Sequence, residues 1–504
     1  MKAIGMTLLI LLGFYSLPLQ ADVKLAKIFS DHMVLQQNLP LKIFGFASPN
    51  EKISVHFNQQ KQSIEANSQG RWLVTFAPMN ATVKPLTLTV KANNTIQLKD
   101  VLIGEVWIAA GQSNMSRGLR YVKPRITKEK MDTPNLRLFQ IEPTLVPQKT
   151  EVKGVKGWAY ATHESMNKIF VHPRVGPYEF SEVAYEFANK IASDLKVPTG
   201  VISTAYGGTT AKEWTPHPRS LKHFKFDGKN ERGHGALYQS MLQGIAPFTI
   251  RGVIWYQGEN DGRNMNYHKD LKELIDSWRN AFKRSDMPFY MTQISQTTFA
   301  GGMLNVYDAQ SYIANRISHT ALAPSNDLWP KPYPSKGKMP YPVQNWLFAG
   351  GSNPHPPNKH IVAHRLADIA LSQTYKTREA ESLPPMYFSH EIIGNKIYIK
   401  FKNVGLGLMT DNNLPPEWFQ YALPLKGDNV PTSKKQYLKQ LQSYKLPAIT
   451  TIKGEDTVVL ELQDHSTVPI WIGFAQHPLA RHNLYNSEKL PAIPFKIWID
   501  LPKP

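Results

Sequence analysis

Three apolar runs in this chain end abruptly in glycines and polar side chains: VWIAAGQSN (106–114), VISTAYGGT (201–209) and VIWYQGE (253–259). None alternates between apolar and polar residues before its break. An apolar run without alternation reads as a strand buried on both faces, the condition of a parallel sheet covered by helices. The intervening segments EFSEVAYEFANKIASDL (179–195), NYHKDLKELIDSWRNAFKR (266–284) and NKHIVAHRLADIALSQTY (358–375) place apolar residues at helical spacing. Alternation of buried strands with amphipathic helices predicts an α/β domain of three layers around a parallel sheet, over residues 101–375.

The flanks have a different texture. In 22–100, LKIFGFA, KISVHFN, RWLVTFAP and LTLTVKA are short and separated by Pro, Asn and Gly turns, which predicts a β-sandwich. From 376 to 504, EIIGNKIYIKFKNV, DTVVLELQ and VPIWIGFAQ predict a second β domain, with a short helix over 431–445. Residues 1–21 carry Lys2, an apolar stretch and a small-residue exit at Leu19-Gln20-Ala21. They read as a signal peptide cleaved after Ala21, so the expected location is periplasmic or secreted, with no membrane span after cleavage. The chain has no cysteine, which excludes disulfides, thiolate metal sites and a Cys nucleophile. Its net charge of +19 suits acidic glycans or an anionic envelope, or serves only solubility; in an exported chain nucleic acid is not the expected partner. Oligomeric state is not legible.

Ligands of open α/β sheets bind beyond the carboxyl ends of the strands. The three polar breaks are therefore expected to share one pocket, although each alone is also ordinary turn chemistry. Ser113 is the candidate nucleophile. Gly207 and Gly208 can bring backbone N–H groups to a developing oxyanion, and Gln257 can add a side-chain N–H. A serine also needs a base. His355, between prolines in NPHPP just before a helix, is the candidate among 16 histidines. His360 and His364 have HxxxH spacing, but Ile361 stands where a metalloprotease needs Glu, and no metal is expected.

These pieces resemble the sialate O-acetylesterase family, a branch of the SGNH-type serine hydrolases. The matching stretches are SDHMVLQQNLPLKIFGFA, VLIGEVWIAAGQSNM, AYGGTTAKEWTP, RGVIWYQGENDG, HPPNKHIVAHRLA and NLYNSEKLPAIPF, which together cover almost the whole mature chain. The resemblance implies an SGNH-hydrolase-like α/β domain flanked by β-sandwich domains, an acetylated carbohydrate as substrate, and no cofactor. It implies Ser113 as nucleophile, His355 as general base, and an oxyanion hole from Gly208, Gly207, Gln257 and the Ser113 N–H.

One position departs from that pattern. The family carries an Asp two residues before its histidine, and here Asn353 stands there. A carboxylate fixes the histidine tautomer and stabilises the imidazolium; an amide does the first only if its oxygen faces the ring. Loss of a triad acid costs roughly 10⁴ in turnover. Three readings follow: backbone carbonyls near Ser352 or Asn353 orient His355; Asp327 replaces the acid; or the chain has become a noncatalytic or weakly active glycan binder. The loop 328–352 carries Trp329, Tyr333, Tyr341 and Trp346, which serve either to stack on a sugar or to pin the loop. Gln112, Asn114 and Glu259 are further candidates for substrate contact, with Glu259 and Asp261 more readily read as structural carboxylates. Glu213 and Trp214 brace the YGGT turn or a sugar.

Overall fold

The computed structural model describes residues 22–118, 133–141, 157–168, 170–172, 176–217, 233–295, 297, 303–328, 353–378, 383–422, 445–463, 471–476, 480 and 482–499. The signal peptide expected at 1–21, the loop aromatics Trp329, Tyr333, Tyr341 and Trp346, and nearly all of the helix expected at 431–445 lie outside the described residues.

The main sheet is built from β1 (Thr95–Gly111), β2 (Thr133–Gln140), β3 (Ala159–Ala161), β4 (Thr199–Ala205), β5 (Gly252–Tyr256), β6 (Phe289–Thr292) and β7 (Thr320–Ala323), in the order β3-β2-β4-β1-β5-β6-β7. Every pairing along this path is parallel except β3 with β2. All residues of β4, β5 and β6 are buried, as continuous apolar runs require. Each fully buried Val, Ile or Leu contributes roughly 1.5–3 kcal/mol over its exposed state. Helices beside the sheet include α1 (Ser113–Ser116), α2 (Glu182–Leu195), α3 (Tyr267–Ala281), α4 (Leu304–Arg316) and α5 (Lys359–Gln373). Helix α2 packs on α5, β4 and β2, while α3 packs on α4. The apolar stripe Val183, Phe187 and Ile191 buries on one face of α2, and Ser181 caps it by accepting from the Ala184 N–H at 3.0 Å.

β1 is longer than its apolar run. Its first half pairs with Thr82–Lys91 of the N-terminal strands, and its second half lies between β4 and β5. The boundary expected at residue 100 therefore falls inside one strand, and one hydrophobic core takes in residues from Val23 to Leu371 together with Met386 and Ile493. Beyond it, Met386–Ile393, Lys396–Lys402, Thr457–Glu461 and Ile449–Lys453 form an antiparallel sheet. With Phe419–Ala422, Trp471–Phe474 and Phe495–Trp498 it encloses a second core. The chain is thus a mixed sheet with helices and additional sheets. Among the described residues no helix is long and apolar enough to cross a membrane.

Candidate active site

Strands β4, β1 and β5 are neighbours, so the three polar breaks of the sequence sit side by side at one edge of the sheet. The register carries this through to their last residues: Ala205 pairs with Gly111, and Gly111 with Tyr256. A side chain on Gly111 would place its Cβ 2.2 Å from the Tyr256 carbonyl oxygen, and the residue has φ +142°. Only glycine lets β1 leave the sheet here. The chain turns at once into α1, whose first residue is Ser113. Gly207 lies against it: a Cβ built there would be 3.6 Å from the Ser113 Cβ. Gly208 follows in the left-handed region, at φ +70°.

Ser113 Oγ is 2.8 Å from His355 Nε2, across 242 positions of sequence. Both residues are half-buried, so the pair is reachable from outside. Behind the ring, Asn353 Oδ1 is 3.0 Å from the His355 backbone N and 3.1 Å from its Nδ1. A backbone N–H can only donate, so the amide presents its oxygen to His355. The same oxygen then requires a proton on Nδ1. The Nε2 lone pair faces the Ser113 hydroxyl as a result. The orienting acceptor is a side-chain amide rather than the backbone carbonyl expected near Ser352 or Asn353.

Asp327 does not take this place. Its two carboxylate oxygens accept from both Arg365 Nη atoms, at 2.8 and 2.7 Å. The expectation that it replaces the triad acid is corrected: its charge is spent on a bidentate arginine pair. Gln257 needs a similar correction. Its Nε2 donates to the Thr209 carbonyl (2.8 Å) and to Asp261 Oδ2 (2.7 Å), while its Oε1 accepts from the Tyr267 hydroxyl at 3.0 Å. Both amide hydrogens are committed and the residue is fully buried. It holds the Tyr206–Thr209 turn in place and has no N–H left for an oxyanion.

The remaining polar candidates also face inward. Asp261 accepts from the Ala211 backbone N–H at 2.9 Å, and Glu213 from the Thr210 N–H at 2.6 Å. Trp214 donates to Thr209 Oγ1 at 3.0 Å and is fully buried. These three brace the turn after β4. Asn114 and Glu259 are buried, which corrects their expected contact with substrate. Gln112 is 3% exposed, and its Oε1 has no hydrogen-bond partner.

Asn114 is the hub of a network that the sequence did not announce. It donates to Glu259 and, at 2.8 Å, to the Pro354 carbonyl, and it accepts from the ammonium of Lys359. The residue after the serine thereby grips the residue before the histidine. Lys359, at the start of α5, is buried and lies 4.9 Å from the Tyr256 ring centroid. Burial first and Arg117 next push its ammonium down to about 7, against the pull of Glu259. Burial pushes the Glu259 carboxyl up. His355 is pushed down to about 2 by burial, then by Arg117 and Lys359. Its ring is firmly neutral at ordinary pH, as a proton acceptor must be. Among the described residues no group of three or more His, Asp or Glu is placed to hold a metal ion.

This geometry can be set beside known proteins. The carbohydrate esterase family of sialic acid-specific acetylesterases matches residues 103–332. Sialate O-acetylesterases of Pongo abelii and Homo sapiens are 26% and 25% identical over 422 residues, spanning 74% of this chain and 75% of theirs. The crystal structure of a carbohydrate acetylesterase from Xanthomonas citri superposes with a TM-score of 0.74 at 25% identity, covering 94% of this chain and 99% of that one. Over residues 103–332 the chain matches that family of carbohydrate esterases, and over about three quarters of its length it is similar to sialate O-acetylesterases.

Proposed function

We propose that the chain is an exported serine esterase that removes O-acetyl groups from a sugar or polysaccharide, working with a Ser113–His355 dyad. The observation that carries this reading is the 2.8 Å contact of Ser113 Oγ with His355 Nε2, in a tautomer fixed by Asn353. The parallel order β2-β4-β1-β5-β6-β7, with the serine just past the end of β1, supports reading the α/β part as a three-layer SGNH-type hydrolase. Export rests on the signal-peptide pattern of residues 1–21 and places the enzyme in the periplasm or outside the cell.

His355 Nε2 takes the Ser113 proton as Oγ attacks the acetyl carbonyl carbon. Negative charge moves to the carbonyl oxygen, for which the Ser113 N–H and the backbone N–H groups of Gly207 and Gly208 are the proposed donors. The first N–H groups of a helix have no partner within it, and Ser113 opens α1. The imidazolium then protonates the departing sugar oxygen and leaves an acetyl-Ser113. Water attacks this ester, gives its proton to His355, and the collapse frees acetate and the serine. Every proton passes through one imidazole.

Among the described residues no negative charge lies beside Nδ1. Asn353 fixes the tautomer but leaves the imidazolium unneutralised, with Arg117 and Lys359 opposing it. The proposed enzyme is therefore slow for its class. The test is acetate release from 4-nitrophenyl acetate and from an O-acetylated polysaccharide, by wild type and Ser113→Ala. The reading expects release that depends on the serine, with residual activity in Ser113→Ala at least 10³-fold lower. Absence of release from wild type would leave a noncatalytic glycan binder on this scaffold. Activity that survives Ser113→Ala would mean a different nucleophile.

A further inference from the structure

A second cavity, of about 520 Å³, opens between α4 and the C-terminal sheets. None of its lining residues belongs to the Ser113–His355 site. One wall is a single face of α4: Asp308, Ser311, Tyr312, Asn315 and Arg316 recur at helical spacing. The opposite wall comes from Met386–Ile393, from Lys402, and from Phe495–Trp498.

Two features of this groove are not explained by packing. Phe388 is 66% exposed and Tyr312 45%. Phe388 sits at a break in register: Tyr387 pairs with Phe401 and Ser389 with Lys400, so Phe388 has no residue opposite. A β-bulge re-aims a side chain, and this one turns an aromatic ring outward at the mouth of a cavity. The second feature is charge. The lining has Arg316, Lys402 and Lys496 against one carboxylate, Asp308. The Arg316 guanidinium stacks on the Tyr312 ring at 4.8 Å, and the Lys496 ammonium lies 4.4 and 4.5 Å from the rings of Trp498 and Trp471. Burial lowers Lys402.

Exposed ring faces accept the apolar face of a pyranose, and cations held on aromatic planes are preset for a carboxylate. Neither feature fits a neutral sugar or an apolar peptide as well. We propose that this groove is an accessory binding site for an acidic saccharide, in which Phe388 and Tyr312 stack on the sugar ring while Arg316 and Lys402 hold its carboxylate. The sugar part of the assignment rests on the carbohydrate-esterase reading; the acidic part rests on the groove alone. Such a site holds an anionic polymer on the enzyme while Ser113 works elsewhere along it.

The test is isothermal titration of the full chain with tri-galacturonic acid, and with xylotriose as the neutral comparison. Tri-galacturonic acid is expected to bind at least about tenfold more tightly than xylotriose. Phe388→Ala, which leaves net charge unchanged, is expected to weaken binding about five- to tenfold. Arg316→Gln is expected to weaken it by a similar factor, whereas Lys61→Gln, an equal loss of charge on the exposed N-terminal strands, is expected to leave it unchanged. Both groove variants are expected to hydrolyse 4-nitrophenyl acetate as wild type does. Equal affinity of the two trisaccharides overturns the proposal, as does unchanged binding in Phe388→Ala, or equal losses in Arg316→Gln and Lys61→Gln. Failure of the esterase reading shows separately, as acetate release that is absent or independent of Ser113, and leaves the titration standing.

Discussion

Asn353→Asp should make this enzyme faster. The substitution keeps the shape of the side chain and puts a charge on the atom that lies 3.1 Å from His355 Nδ1. Two unit charges about 4 Å apart interact by about 4 kcal/mol at an effective dielectric near 20, equivalent to about 3 units of imidazole pKa. The gain is not delivered whole, because position 353 is 6% exposed and a carboxylate there is partly stripped of water. The His355 backbone N–H, already 3.0 Å from this atom, offsets part of that cost. If about half of the interaction survives in the transition state, roughly 2 kcal/mol remains, or about a 30-fold rise in kcat. This lies within the roughly 10⁴-fold worth of the acid in a complete triad.

The pH profile gives an independent reading of the same change. The active ring is neutral, so activity is lost as pH falls through the His355 pKa. In wild type that pKa is pushed down to about 2 by burial, Arg117 and Lys359. Acetate release followed from pH 4.5 to 9 should therefore show no acid limb due to His355. In Asn353→Asp the pKa rises and a limb enters from the acid side. A folded variant with unchanged or lower kcat would refute the reasoning, and so would a wild-type acid limb near pH 6.5.

Two further substitutions test the scaffold behind the dyad. Lys359→Met leaves the Glu259 carboxyl buried without its cation and frees the Asn114 hub; it should lower stability by about 3–5 kcal/mol in urea unfolding, with Glu259→Gln in the same chain recovering part of the loss. Gln257→Leu strands the Thr209 carbonyl and removes one of the two donors to Asp261 Oδ2, leaving the Ala211 N–H, and should cost about 2–3 kcal/mol of stability. A fall in kcat of about 10²–10³ without loss of stability would instead mark Gln257 as an oxyanion donor.

What was legible in the sequence follows from how local each signal is. The parallel strands were readable because their burial on both faces leaves an uninterrupted apolar run; Ser113 was picked out because three such runs end in polar residues, although each break alone is also ordinary turn chemistry. The run of β1 was readable but its length was not, since Thr95–Asp100 alternates like the N-terminal strands it pairs with, yet continues as one strand into the main sheet. Helix α4 went unread: Asn305, Asp308, Gln310 and Asn315 interrupt its apolar spacing, and three of them are spent on tertiary bonds, Asn305 to the Asn264 carbonyl, Gln310 to Gln257, and Asp308 accepting from Gln476. Asp327 and Gln257 were misjudged for one reason. A side chain's chemistry states what it can do, but its partner decides what it does, and Arg365 lies 38 positions from Asp327.

In the proposed dyad the loss at position 353 is tolerable for a structural reason. A triad carboxylate both orients and neutralises its histidine, and the chain divides these tasks. Orientation is kept by the Asn353 oxygen and tightened by Asn114, which fixes the Pro354 carbonyl to the segment that carries Ser113. Neutralisation is absent at the ring itself. One step away, the Glu259 carboxyl shares Asn114 with Lys359 and draws on the field of that buried cation. Without Glu259, the ammonium of Lys359 would act undiminished against the imidazolium that forms as the serine attacks. Its place in the network is therefore electrostatic as well as structural: it limits a charge that the amide at 353 cannot oppose. The lost carboxylate makes the geometry of the network more consequential, because a histidine with no counter-charge depends on being held at 2.8 Å from its serine.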